Sequence, residues 1–434
     1  MMNNCYEEKW LALKEEIDRR GADGEAVTAA LRDYYSIFED RVLVWLGNLY
    51  NPEIGGFHYS NSSKNNPTVT TDAGTFDLLP DIESSFQAMS MLIDSGAISS
   101  FDELPKKMRE GLIKFISSLQ DKDSGFIIHP QWKHIMRDGF GKNPNADRIW
   151  RSRRGRDMMW AIGMTERLGF TLPYPTAYER LDMQKDSEEK NDILPDYLTD
   201  KDKFIAFLDT LDFENDAYYA GNMVAGQDKL IVAAGLGDVA VDYITEKQHK
   251  DTGLWGNKGG YAAINAYLKT TSIYAATKKP IPNTDKAAMT IINCATTEEK
   301  PATVCFQYNV WFSILNILDS LRNYGGEEGN KKADELSASL LKNCTEAIKA
   351  TKEKALSFKK ADGSFSYATY ATADHSQGMP VAFKGENEGD VNATNICSNG
   401  TARRIFKALG LSDFFIPLYS ENAFEEFVKA AKCK

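Results

Sequence analysis

Most segments of the chain repeat their apolar residues at intervals of three and four, the spacing typical of helices. The first such stripe runs over residues 25–48. Another begins after Pro80 and carries carboxylates in its first turn, where the helix dipole favours them. The strict alternation that marks a half-buried strand is sparse throughout. The sequence therefore predicts an all-α protein.

Helical segments of two kinds alternate along the chain. Segments such as 105–120 and 333–358 have a charged face, whereas 156–164 and 306–318 are apolar on nearly all sides. An amphipathic helix has one face in water, but a helix that is apolar all round requires burial. About six such pairs in succession predict an (α/α)6 toroid, a double ring of about six inner and six outer helices. We expect a single domain over 1–434, with a charged, Pro- and Tyr-containing insertion or linker near 173–200.

A turn with a polar stretch, a glycine and an aromatic residue appears four times between helical segments. It is NPEIGGFHY at 51–59, QDKDSGF at 120–126, QHKDTGLWG at 248–256 and KADGSFSY at 360–367. Recurrence at intervals along a chain indicates a repeated structural unit. We therefore expect Trp255 to seal the joint between an outer and an inner helix, not to mark a ligand site.

These turns resemble the repeat of the terpenoid cyclase and protein prenyltransferase superfamily. The resemblance rests on Gln248-x4-Gly253-Leu-Trp255, Gln120-x4-Gly125-Phe126 and Asp362-Gly-Ser-Phe365. It implies an α/α toroid with such turns between outer and inner helices. It carries no activity, because the acid and metal motifs of that superfamily are not matched. Asp121-Lys-Asp123 and Asp200-Lys-Asp202 lack the final Asp of the cyclase acid and are expected to be helix caps.

The charge balance limits the kinds of binding partner, and the spacing of the cysteines bears on metal sites and disulfides. The chain has 51 basic and 62 acidic residues and a net charge of -11, which argues against nucleic acid and an anionic membrane as main partners. The local basic run RIWRSRRGR at 148–156 is either a solvated loop or an anion-binding segment. Six scattered cysteines without a CxxC pair predict neither a structural zinc site nor a disulfide scaffold. We expect no metal and no cofactor.

The N-terminal segment and the hydropathy of the chain bear on its location. The first twenty residues alternate charged with apolar residues and lack the continuous apolar core of a signal peptide. No stretch approaches the roughly 18 apolar residues that a membrane span requires. The sequence therefore predicts a cytoplasmic protein without a membrane partner, and makes no prediction of its oligomeric state.

Polar residues lie at the starts of the predicted inner helices. In a toroid these starts converge near one mouth of the ring, so their side chains are candidates for a shared cavity. The candidates are Asp81 and Glu83; Arg156 and Asp157; Asn222 and Gln227; Asn265 and Lys269; Gln307, Tyr308 and Asn309; and Glu388, Asp390 and Asn392. Singly, each is also explained as a helix cap or dipole partner. Together they predict a polar cavity, because a ring without a ligand gains stability from apolar filling.

Among the five histidines, His375 is the candidate acid or base, because it lies beside Asp374 in a long polar loop. His58 and His129 lie on aromatic turns and are expected to be structural, and His134 and His249 to face solvent.

Two types of chemistry on an oligosaccharide or similar polar substrate remain open. In a lyase, His375 or Tyr308 removes a proton while Asn222 and Arg156 hold a carboxylate. In a glycoside hydrolase, Asp81 and Asp390 form the catalytic pair. The remaining candidates, and Trp132 as a platform for a sugar ring, are expected to bind substrate. An isoprenoid-handling protein and a non-catalytic toroid that binds a small ligand or peptide are the alternatives.

Overall fold

The computed structural model describes residues 4–71, 74–130, 146–183, 194–257, 259–376 and 378–433. Helix makes up 61% and strand 5%, which confirms the all-α prediction. The helices are α1 (Asn4–Arg19), α2 (Gly24–Tyr35), α3 (Arg41–Leu49), α4 (Asn61–Asn65), α5 (Ile82–Asp94), α6 (Lys106–Ser118), α7 (Ala146–Leu168), α8 (Ala177–Met183), α9 (Lys201–Leu208), α10 (Ala217–Ala225), α11 (Asp228–Ala233), α12 (Gly237–Glu246), α13 (Gly260–Thr270), α14 (Ser272–Thr277), α15 (Thr284–Ala295), α16 (Val304–Tyr324), α17 (Gly326–Asn343), α18 (Thr345–Leu356), α19 (Val391–Thr394), α20 (Gly400–Ala408) and α21 (Ala423–Ala430).

Short irregular elements complete the described chain. A π-helical turn, Asn395–Asn399, joins α19 to α20. Three antiparallel two-stranded sheets pair β1 (Tyr50–Asn51) with β2 (Gly56–Phe57), β3 (Thr68–Thr71) with β4 (Gly74–Asp77), and β5 (His375–Ser376) with β6 (Met379–Pro380). None of the described helices is both long enough and apolar enough to cross a membrane.

Two of the predicted helices are each divided by a break that the apolar pattern does not reveal. Residues 25–48 form α2 and α3, and 333–358 forms parts of α17 and α18. In both breaks an apolar residue stays in the core: Ile37 is 2% exposed and Cys344 is 1% exposed. The apolar stripe therefore continues through the break although the backbone leaves the helix.

The four recurring turns have the same backbone geometry. Their glycines adopt the left-handed conformation, with φ of 90° at Gly55, 73° at Gly125, 71° at Gly253 and 87° at Gly363. An L side chain is strained in this conformation, so glycine is required there. The aromatic residue that follows is buried in each turn: Phe57, Phe126, Trp255 and Phe365. The prediction of a repeated structural turn is confirmed.

Trp255 joins two helices, as the sequence predicts. Its indole N–H donates to the carbonyl oxygen of Ile244 in α12 at 2.8 Å. The indole lies 5.7 Å, centroid to centroid, from the ring of Tyr267 in α13. The side chain is fully buried. It therefore holds α12 and α13 together at the turn between them.

Two glutamines tie their turns to a later segment of chain. Nε2 of Gln120 donates to the carbonyl oxygen of its turn glycine at 3.4 Å and to that of Tyr174 at 2.8 Å. Nε2 of Gln248 makes the same pair of bonds, to its turn glycine at 2.8 Å and to Pro282 at 3.0 Å. The glutamine at the start of the turn is thus part of the repeated unit.

The apolar helices pack against one another in chain order. Helix α5 contacts α7, α7 contacts α10, α10 contacts α13, and α13 contacts α16. Helix α16 in turn contacts the π-helical turn and α20, and both of these contact α5. Among the amphipathic helices, α6 packs against α7, and α15 and α17 pack against α16. Asp81 and Glu83 lie at the start of α5, as the sequence predicts. The prediction is wrong for Arg156 and Asp157, which lie in the middle of α7, and for Lys269, which lies in the last turn of α13.

Candidate functional site

Asp81 and Asp390 both cap a helix. Asp81 accepts hydrogen bonds from the Ser84 backbone N–H at 3.0 Å and the Ser84 hydroxyl at 2.6 Å. Asp390 accepts from the Ala393 N–H at 2.7 Å and the Thr372 hydroxyl at 2.9 Å. Both carboxyl groups are buried. Because both oxygens of each carboxyl group accept a hydrogen bond, the geometry gives the two residues a capping role and does not favour a hydrolase pair.

A fully buried arginine, Arg153 in α7, gathers three of the carboxylates. Its Nη1 donates to Glu83 Oε2 and its Nε donates to Asp157 Oδ1, each at 2.8 Å. Its Nη2 lies 3.7 Å from Asp81 Oδ1. Nη1 also donates to the backbone carbonyl oxygen of Ser376 at 2.9 Å. The described part of the basic run 148–156 is therefore helical and not a solvated loop, and Arg153 is paired with carboxylates of the chain itself.

Burial shifts the protonation of the carboxyl groups in this region. It raises the pKa of Asp157 to about 7, although Arg153 opposes the shift. It also raises the pKa of Asp390 to about 7, against the hydrogen bonds that favour the charged form. The pKa of Asp81 is raised for the same reason. Burial, rather than a neighbouring charge, is therefore the main cause of all three shifts.

A second polar group consists of Arg156, Asn222 and Lys269, from α7, α10 and α13. Nη2 of Arg156 donates to Oδ1 of Asn222 at 2.5 Å. The buried Nε of Arg156 has no hydrogen-bond partner among the described residues. Lys269 has neither a hydrogen bond nor an ion pair within that part of the chain. Three residues that the sequence placed in separate helices are thus near one another.

Small residues let the three helices approach closely. A Cβ atom on Gly221 of α10 would lie 2.6 Å from Oγ1 of Thr270 and 3.1 Å from Cβ of Lys269. On the other side of α10, a Cβ atom on Gly226 would lie 2.2 Å from the hydroxyl oxygen of Ser152 in α7. The glycines therefore allow α10 to fit between α7 and α13.

The electrostatic surroundings of Lys269 favour its uncharged form. Burial lowers the pKa of Lys269 to about 7, and the positive charge of Arg156 lowers it further. Cys305 and Glu83 act in the opposite direction. An amine that is neutral near pH 7 can accept a proton or attack an electrophile, which an ordinary surface lysine does not do.

A pocket of about 310 Å³ opens at the starts of α10, α13 and α16. Its walls include the aromatic rings of Tyr218, Phe306 and Tyr367, and Asn265 and Ala266 also line it. Tyr218 is 38% exposed, so its ring is accessible from solvent. Acidic residues, Glu214 and Asp216, also belong to the lining.

The amide groups of Asn265 and Asn309 meet between α13 and α16. Nδ2 of Asn309 donates to Oδ1 of Asn265, and both side chains are buried. Nearby on α16, the ring of Tyr308 lies under the guanidinium of Arg404, whose central carbon is 4.9 Å from the ring centroid. Asn265 is therefore shared between the pocket and the contact of α13 with α16.

The remaining candidates lie apart from this group. Glu388 accepts from the Ser60 hydroxyl at 2.6 Å and the Ser62 N–H at 2.9 Å, and so fixes the start of α4. His375 is exposed, and its Nδ1 lies 3.2 Å from Oδ1 of Asp374. Asn392 is partly exposed on α19. Trp132 and His134 lie outside the described residues.

Three other histidines agree with their predicted roles. His129 is buried, with Nε2 3.0 Å from the carbonyl oxygen of Pro80, and burial lowers its pKa to about 4. His58 is also buried, and its pKa is likewise lowered to about 4. His249 is partly exposed and pairs with Glu214. His58 and His129 are therefore structural, as expected.

Sequence reasoning missed Arg153, Cys305 and Tyr367. Arg153 and Asp157 have the i, i+4 spacing of a helical ion pair, which was a usable signal. Cys305 and Tyr367 carry no such signal. Cys305 interacts electrostatically with Tyr367 and with Lys269, and both of these residues are distant from it in the chain. Only the packing reveals them.

Comparisons of the chain with protein-family models, with curated proteins and with solved structures found no match. Within the described ranges, no three His, Cys, Asp or Glu side chains are arranged to hold a metal ion. The functional argument therefore rests on the geometry of the site.

Proposed function

We propose that the chain is an α/α toroid that binds a uronate-containing oligosaccharide and cleaves it by β-elimination. The inner ring of this toroid consists of α5, α7, α10, α13, α16 and the segment 395–408. The order of the helix contacts supports the ring, because each of these elements packs on the next and the last returns to α5. The four turns with a left-handed glycine support the repeat.

The observation that carries the proposal is the environment of Arg156. Its guanidinium holds an amide oxygen of Asn222, and its Nε is buried without a partner among the described residues. A largely buried cation is costly unless a negative group pairs with it. Guanidinium and amide donors together suit a carboxylate, which accepts several hydrogen bonds at once. The carboxylate of a uronate supplies the missing partner.

The pocket at the helix starts suits sugar rings. The rings of Tyr218, Phe306 and Tyr367 offer apolar faces, and the side chains of Asn265 and Asp216 offer hydrogen-bonding groups. Such a mixture of flat apolar surface and a few polar groups is typical of small-molecule sites.

The hydrogen bonds of Asp81 and Asp390 favour elimination over hydrolysis. A hydrolase requires two carboxyl groups that flank the glycosidic bond. Asp81 and Asp390 instead hold the starts of α5 and α19 by hydrogen bonds. An elimination requires only a cationic partner for the uronate carboxylate and a base at the neighbouring carbon, both of which Arg156 and the groups around it offer.

The test is incubation of the purified chain with a panel of uronate-containing oligosaccharides. We expect products with a C4–C5 double bond, detected by ultraviolet absorbance and by product masses that sum to the substrate mass. Arg156→Met should abolish the reaction, and the matched exposed variant Arg109→Met, which loses only a pair with Asp102, should not. Products that gain a water molecule, or no product from any uronate, would contradict the proposal.

A further inference from the structure

The proposed elimination requires a group that removes a proton beside the carboxylate. The two groups considered from sequence, His375 and Tyr308, are poorly placed for this role. His375 is exposed and lies beside Asp374. The ring of Tyr308 is buried beneath Arg404. Lys269 differs from both in its position and in its surroundings.

Lys269 lies one helical turn beyond the pocket on the same face of α13. Asn265 and Ala266 line the pocket, and Lys269 follows them by four and three residues. Residues at these spacings share one face of a helix. Four residues correspond to a rise of about 6 Å along the axis. A ligand that enters the pocket along α13 therefore meets Lys269 next.

The electrostatic surroundings relate the same amine to the pocket. Tyr367 lines the pocket and interacts electrostatically with Cys305. Cys305 in turn interacts electrostatically with Lys269, and so does Arg156 of α7. The amine is thus within electrostatic range of Arg156 and of Cys305.

The charged and titratable groups that act on Lys269 are Arg156, Cys305 and Glu83. Glu83 is engaged by Arg153, and burial keeps the Cys305 thiol protonated by raising its pKa to about 11. No described group pairs with the amine. Burial and Arg156 therefore determine its protonation, and the pKa near 7 leaves a large neutral fraction at neutral pH.

We propose that the amine of Lys269 is the proton acceptor of this site and acts on the carbon next to the carboxylate held by Arg156 and Asn222. This assignment rests on the proposed function. The unshared pair of the amine takes the proton from C5, and the C5–H electrons form the C4=C5 bond. The C4–O4 bond breaks with its electron pair on oxygen, which takes the proton from the Lys269 ammonium. The amine is restored and no other reactant is needed.

The first test compares Lys269→Met and Lys269→Arg with the wild type and with the exposed control Lys349→Met. We expect both Lys269 variants to lose about 10²- to 10⁴-fold in kcat, the usual contribution of a general base. The Lys269→Arg variant should not recover activity, because its guanidinium stays protonated. The wild-type rate should fall as pH drops through about 7. A Lys269→Met enzyme with wild-type kcat would overturn the assignment and leave the proposed function standing.

The second test does not depend on turnover. Reductive methylation at a series of pH values, followed by peptide mass spectrometry, gives the titration midpoint of each lysine. We expect the midpoint of Lys269 near 7, that of Lys349 near the ordinary value, and slower labelling of Lys269 in the presence of D-glucuronate. A Lys269 midpoint equal to that of Lys349 would overturn the assignment even if no substrate is turned over. Absence of turnover alone contradicts only the proposed function.

Discussion

At the scale of single residues, burial shifts the pKa values of several ionisable groups towards neutrality. Lys269 has no partner among the described residues, and Asp157 and Asp390 are held near neutral pKa values by burial. Stability alone would favour apolar side chains at such positions. Groups of this kind are therefore candidates for the site that we propose.

Replacing Lys269 with methionine should stabilise the fold. Methionine keeps the length of the side chain and removes the burial of a charge. The folded pKa of about 7 lies below the ordinary value of 10.5, so the unfolded wild type binds more protons between these values and wild-type stability rises with pH there. The excess stability of Lys269→Met should thus be largest below about pH 7 and shrink towards about pH 10. Denaturant melts of both proteins at several pH values measure this difference in the free energy of unfolding. A Lys269→Met variant that is less stable than the wild type would contradict the destabilising desolvation of the amine.

Replacing Asp390 should distinguish the contribution of its helix cap to stability from the contribution of its titrating carboxyl group. Its folded pKa of about 7 lies above the ordinary value of 3.8, so its contribution to stability is full below about pH 4 and is lost as pH rises through 7. Asparagine caps about as well as aspartate, so Asp390→Asn should keep the fold and flatten this slope. Asp390→Ala should cost about 0.5–2 kcal/mol. Thermal melts between pH 4 and 8 measure both effects. An unchanged slope in Asp390→Asn would contradict the raised pKa of Asp390, and an Asp390→Ala variant as stable as Asp390→Asn would contradict the cap.

At the scale of elements, the recurring turn follows the end of a helix in each of its four copies, and at 248–256 it leads directly from α12 into α13. Each copy has a left-handed glycine and a buried aromatic residue, and two copies begin with a glutamine that bonds to a distant carbonyl. These bonds fix how the chain leaves an amphipathic helix and enters an apolar one.

Replacing Gln248 should lower the stability of the fold without changing catalytic activity. Gln248→Ala removes two hydrogen bonds donated to buried carbonyl groups and one accepted from Asn283. We expect a loss of about 1–3 kcal/mol in the free energy of unfolding, with unchanged kcat. The control is Asn343→Ala, whose amide bonds only within its own helix, to Ser339. Equal stability of the two variants would mean that the turn does not depend on Gln248.

At the scale of the whole molecule, the succession of helix contacts brings polar groups of α7, α10 and α13 near one another. The chain is acidic, with a net charge of -11, and yet Arg156 presents positive charge inside. This contrast favours an anionic ligand at the interior site and not at the surface.

Ligand binding should be visible as stabilisation. A ligand that binds only the folded state adds about 2.7 kcal/mol at a concentration of 100 times its Kd. We expect uronate oligosaccharides to raise Tm, and their neutral counterparts of the same length to have little effect. Arg156→Met should abolish the difference between the two ligands. A Tm rise that is equal for acidic and neutral sugars would contradict the role of Arg156.

Part of the site was predictable because it follows from local position. Asn222 and Asn265 lie within the first two turns of α10 and α13, close to the predicted helix starts. Arg156 and Lys269 were also named as candidates, although they lie in the middle of α7 and in the last turn of α13. Their division into groups was not predictable. Arg153 lies three residues before Arg156 in the same basic run, yet it donates to two carboxylates of the chain, whereas Arg156 donates to the amide oxygen of Asn222.

By itself, the sequence determined the helical class, the recurring turns and the positions of Asp81 and Asp390 at two helix starts. These depend on periodicity, on glycine's access to positive φ and on residue type, which are local properties. The tertiary structure decided which carboxylates are caps and which cations lack a partner. That depends on burial and on neighbours far apart in the chain, because the cost of a charge is set by its surroundings and not by its position in sequence.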